Sequence, residues 1–71
     1  MRPETYRHLI AELTKTVTEA GGSMKRHDAE IQTAKRLGIS LASFQGVAIT
    51  AHADRSLVLT LRSDTLSLPE A

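Results

Sequence analysis

Three patterns in the sequence predict a small α+β domain, with a helical N-terminal part that holds a helix-turn-helix-like unit and a β-hairpin after it. Apolar residues recur at helical spacing from Tyr6 to Ala20, and a second, shorter stripe stops at Gly38. From Leu57 onward leucines alternate with Val58, Thr60 and Arg62, the period of a half-buried strand. The 71 residues make one domain, 1–71, with a single core.

The first helix rests on Tyr6, Leu9, Ile10, Leu13, Val17 and Ala20, which share one face, while Arg7, Glu12, Lys15 and Glu19 fall away from it. Pro3 suits a first turn and Glu4 the positive end of the helix dipole. Gly21 and Gly22 stop the helix, and Ser23 begins a connection. Residues 24–27 fit either a loop or an early turn of the next helix. Asp28 is the expected cap of that helix, and Ile31, Ala34 and Leu37 form its stripe.

Residues 40–51 carry two readings. In one, a helix starts at Ser40 and turns Phe44 and Val47 inward. In the other, the β-branched Val47, Ile49 and Thr50 make a strand, with residues 52–56 as a hairpin loop and an order of helix, helix, strand, strand. Leu57, Leu59 and Leu61 then line the inner side of a strand. Ser63 and Asp64 form a turn, residues 65–68 return as a second strand, Pro69 ends it, and Glu70 and Ala71 are expected to fray.

Residues 30–49 fall in helix-turn-helix register. Ala34 is small where two helices cross closely, and Gly38 stands where the chain must turn with positive φ. Leu37 and Ile39 flank that turn as core residues, and the Ser40 hydroxyl is placed to cap the second helix. The run Thr33-Ala34-Lys35-Arg36-Leu37-Gly38-Ile39, with the later strand Leu57-Val58-Leu59-Thr60-Leu61, resembles the Cro-like repressors of temperate phages. The resemblance spans about half the chain and implies operator binding and transcriptional repression, with the second helix in a DNA major groove.

On this reading the second helix exposes Leu41, Ala42, Gln45 and Gly46, with Gly46 inside it at a cost of ~1 kcal/mol relative to alanine. Gln45 is the side chain able to bond an adenine edge, and Lys35 and Arg36 would meet phosphates. Lys25, Arg26 and His27 lie near in sequence and add positive charge. The candidate DNA-binding residues are therefore Lys25, Arg26, Lys35, Arg36, Ser40 and Gln45, with the strand at 57–61 as a wing or a dimer seam.

Nine Lys and Arg against eight Asp and Glu leave a net charge of +1, so any basic surface must be local. The absence of cysteine excludes a disulfide framework and a cysteine zinc site. No secretory segment or long apolar run is present, and a cytoplasmic protein, homodimeric to complete its core, is expected.

His8, His27 and His52 are isolated from one another, and no serine lies in a nucleophile elbow. Gly21-Gly22-Ser23 lacks the spacing of a P-loop, and Asp28, Glu30 and Asp54 read as caps or solvated carboxylates. Neither an enzyme nor a cofactor is expected. A competing reading is a protein-binding module or inhibitor encoded by a mobile element, which would occlude its partner through Leu41 and the leucine-rich hairpin. Helix at residues 41–50 supports DNA binding; strand supports the interaction module or a winged variant.

Overall fold

The structure is a computed structural model and describes residues 3–69, so the expected fraying of Glu70 and Ala71 lies outside the described residues. Helix α1 (Pro3–Glu19) is followed by strand β1 (Ser23–Lys25), helix α2 (Arg26–Leu37), a 3-10 turn (Leu41–Phe44), helix α3 (Val47–Ala53) and strands β2 (Val58–Thr60) and β3 (Thr65–Ser67). The sheet is antiparallel with order β1-β3-β2. Leu66 is central, opposite Met24 on one side and Leu59 on the other. The fold class is α+β.

Helix α1 follows its stripe. Leu9, Ile10, Leu13 and Val17 are buried and Tyr6 packs against them, whereas Ala20 is exposed because the helix has already ended. Gly21 and Gly22 turn the chain at φ 98° and 99°, and the Gly22 N–H donates back to the Val17 carbonyl at 2.9 Å. The Gly22 carbonyl then accepts from Leu68 N–H at 2.9 Å, which leads the chain into β1. That strand occupies part of the segment where the sequence left loop or helix open; three residues are too few to show a period of two.

Helix α2 starts at Arg26, ahead of the expected cap at Asp28, which instead sits in the first turn. Lys25 occupies the capping position without a side-chain bond. The Arg26 N–H is met by the Asp64 carbonyl at 2.8 Å, so a distant segment replaces the local cap. Ala29, Thr33 and Ala34 form the buried face, with Ile31 and Leu37 half-buried beside it. Gly38 ends the helix at φ 69°, ψ 33°, as its position predicts. Ile39, expected in the core, is 37% exposed just past that turn.

Thr16 of α1 and Thr33 of α2 meet at 2.6 Å in the buried interface between the helices. Thr33 Oγ1 is within reach of the Ala29 carbonyl at 2.7 Å and Thr16 Oγ1 of the Glu12 carbonyl at 3.1 Å, so either hydroxyl can donate to the other while its partner donates to its own helix. Arg36 Nη2 in turn donates to Thr16 at 3.1 Å. No buried side-chain polar atom among the described residues is left unsatisfied.

Residues 41–53 are helical in two pieces, which rules out the strand reading and the hairpin loop at 52–56. The helix expected to start at Ser40 starts at Val47. Ser40 leads only into the 3-10 turn and makes no side-chain cap; its Oγ lies 3.2 Å from Ser43 Oγ. The break is at Gly46, whose φ of 79° lies in the left-handed region, so it precedes α3 instead of sitting within a helix. Phe44 and Val47 are buried as expected on either side of it.

Gly46→Ala is therefore expected to destabilise the fold by about 1–2 kcal/mol, the cost of a left-handed alanine. A glycine inside a helix would give the opposite sign on the same substitution. The shift of the urea midpoint distinguishes the two.

Candidate nucleic-acid interface

Val47, Ala48 and Ala51 pin α3 to the core, and this spacing leaves Ile49, Thr50, His52 and Ala53 exposed. Ile49 is 66% exposed. Thr50 Oγ1 donates to the Gly46 carbonyl at 2.8 Å, and His52 Nδ1 accepts from the Leu59 N–H at 3.1 Å. That acceptance places the proton of the neutral ring on Nε2. It also covers the central N–H of edge strand β2, which would otherwise offer itself to another chain.

The β2–β3 hairpin stands beside α3, and its turn carries Leu61, Arg62, Ser63 and Asp64. Leu61 is 81% exposed, against the inward position that strand alternation predicts, because β2 ends at Thr60. The turn is tied to the start of α2. Lys25 Nζ donates to the Ser63 carbonyl at 2.7 Å, and Arg26 forks onto Asp64 with Nε to Oδ1 at 2.6 Å and Nη2 to Oδ2 at 3.1 Å. The remaining nitrogen, Nη1, reaches Glu30 Oε1 at 2.5 Å. Ile49, Leu59 and Leu61, with Arg26, Glu30 and Asp64, help to line one shallow depression of about 320 Å³ between α3 and the hairpin.

The six sequence candidates divide into separate groups. Lys25 and Arg26 lie at the hairpin. Arg36 faces α1, where it pairs with Glu12 and donates to the Glu12 carbonyl at 3.0 Å and to Thr16. Lys35 is exposed in the last turn of α2. Ser40 and Gln45 are exposed at the two ends of the 3-10 turn, so Gln45 stands just before α3 and not on it.

Residues the sequence reading passed over are also exposed here, namely Thr50 and His52 on α3, Arg55 after it and Arg62 in the hairpin turn. The available signal was Arg62 beside the Ser63-Asp64 turn, since a cation at a hairpin tip projects from the body of a small domain.

Hydrogen bonds from Arg26 hold the Asp64 carboxyl below the usual aspartate value of 3.8, and those from Arg36 hold Glu12 below the usual glutamate value of 4.5. Burial pushes Glu30 above 4.5 despite the Arg26 charge. Arg26 is raised, chiefly by its hydrogen bonds to Asp64.

The signs differ across the pH range. Stability drawn from Asp64 and Glu12 is present above their unfolded values and is lost as pH falls through their lowered folded values. Glu30 acts oppositely: between 4.5 and its raised folded value, stability falls as pH rises. Urea midpoints should therefore drop on acidification below the usual carboxylate range, and Asp64→Asn should flatten that drop. Glu30→Gln should remove the opposite slope above 4.5.

No helix among the described residues is long and apolar enough to cross a membrane, and no three His, Asp or Glu side chains among them gather as a metal site. No protein-family model, curated protein or solved structure matches the chain.

Proposed function

We propose that this protein is a small DNA-binding transcriptional regulator, a helix-turn-helix unit with the β2–β3 hairpin as its wing. The supporting observation is the pair α2 and α3, joined by residues 38–46 with their 3-10 turn, and the exposed face of α3 flanked by a projecting hairpin. Helical structure at 41–53 supports this reading over the strand alternative.

In this reading α3 enters the major groove. Ile49 meets a thymine methyl, Thr50 and Gln45 meet base edges, and Lys25, Lys35 and Arg62 meet phosphates. Arg36 is assigned to the α1–α2 interface, where Glu12 and Thr16 engage it. Operator binding by a homodimer, as the Cro-like resemblance implies, belongs to the same proposal. Sedimentation at micromolar concentration tests the dimer, and a monomer at all concentrations removes it.

The deciding experiment is titration of a random duplex across a salt series. Wild-type affinity should fall steeply with salt, and Arg62→Gln or Lys35→Gln should each reduce the log–log slope by about 0.9. Arg36→Gln should leave the slope unchanged. Gln45→Ala should alter preference among sequences. Absence of affinity even at low salt rejects the regulator. The alternative is then a protein-binding module or inhibitor, which the exposed Ile49 and Leu61 beside one depression favour.

A further inference from the structure

We infer that Arg26, one of the cations that suggests a phosphate contact, is a positioning residue that clamps the wing turn through Asp64. The clamp itself rests on geometry alone; its purpose, aiming the wing at DNA, rests on the proposed function.

All three guanidinium nitrogens are engaged, two of them in a parallel fork on the Asp64 carboxylate. The third bond is what locks the side chain. Glu30 is 6% exposed, and among the described residues Arg26 is the one that hydrogen-bonds its carboxylate. Swinging Arg26 out toward a phosphate would leave a carboxylate buried and unpaired.

The other end needs holding. β2 and β3 are three residues each, too short to fix a hairpin tip by themselves, and Asp64 adopts the left-handed φ of 51°. The Arg26 N–H to the Asp64 carbonyl and Lys25 Nζ to the Ser63 carbonyl add two more ties between α2's first turn region and the wing. The turn therefore projects beyond the paired strands yet is anchored beside α3.

The charge of Asp64 makes the idea testable by sign. Removing an acidic group from a DNA-facing turn should strengthen binding if only charge matters. A clamp predicts the reverse. Asp64→Asn keeps the Arg26–Glu30 pair, and Arg26→Lys keeps the positive charge while losing the fork.

Amide hydrogen exchange of the free protein is measured first. In both variants the amides of Arg26 and residues 61–64 should exchange about tenfold faster or more, while the amides of the α1 core stay unchanged. Titration with a random duplex should then show weaker binding by Asp64→Asn and Arg26→Lys with the salt slope preserved.

Unchanged exchange in both variants overturns the clamp. Tighter binding by Asp64→Asn, or wild-type binding by Arg26→Lys, overturns its role in DNA recognition and returns Arg26 to a phosphate contact. If wild type binds no duplex, the DNA role falls with the proposed function, and exchange alone still decides whether the clamp exists.

Discussion

Phe44→Ala should cost about 3–5 kcal/mol, the range for emptying a buried aromatic site. Phe44 is the chain's only phenylalanine and is 1% exposed in the 3-10 turn between α2 and α3. At roughly 0.05–0.15 kcal/mol per residue, 71 residues support a total stability of about 4–10 kcal/mol. The loss would remove from about three-tenths to all of that.

The site has little ability to collapse around the void, because Phe44 is fixed between Gly38 and Gly46, which set the chain direction on both sides. Phe44→Leu, which refills most of the volume, should cost less than the alanine variant. Urea denaturation followed by far-ultraviolet circular dichroism measures both. A loss below about 1 kcal/mol for Phe44→Ala would mean that the 3-10 turn does not close the core.

Leu13→Ala comes next in size, at roughly 2–5 kcal/mol. Leu13 is fully buried at the middle of α1, the helix that packs against both α2 and α3. The spread in the range reflects how far the neighbouring Leu9, Val17 and Ala51 can close the cavity. Leu61→Ala provides the control, because the same side chain at 81% exposure should change stability by no more than about 0.5 kcal/mol. Equal effects at the two positions would contradict the placement of α1 in the core.

These two leucines show how far a sequence can be read. The i, i+3, i+4, i+7 stripe specified α1 and the burial of Leu13 without reference to any other segment. Strand alternation from Leu57 correctly buried Leu57 but also predicted an inward Leu61, because a period says nothing about where pairing with a neighbour ends. In α3 the β-branched Val47, Ile49 and Thr50 gave the strand its plausibility. Burial of Val47, Ala48 and Ala51 against the core outweighed that weak local preference.

The candidate site was legible as residue types and illegible as geometry. Lys25, Arg26, Lys35 and Arg36 are visible as a cluster of cations in one quarter of the chain. Their assignment depends on partners far away in sequence: Arg26 meets Asp64 at a separation of 38 residues and Arg36 meets Glu12 at 24.

What the sequence by itself determined was whatever is encoded within a few neighbouring residues. That includes the periodicity of α1, its glycine stop, the Gly38 cap of α2, and the order of helices before a hairpin. Tertiary structure alone decided β1, the start of α2 at Arg26, the beginning of α3 at Val47 and the division of the cations. The physical reason is common to all four. Each depends on a donor, acceptor or buried face supplied by another part of the chain, as when the Asp64 carbonyl meets the Arg26 N–H, and such pairing becomes defined only once the core has brought the segments together.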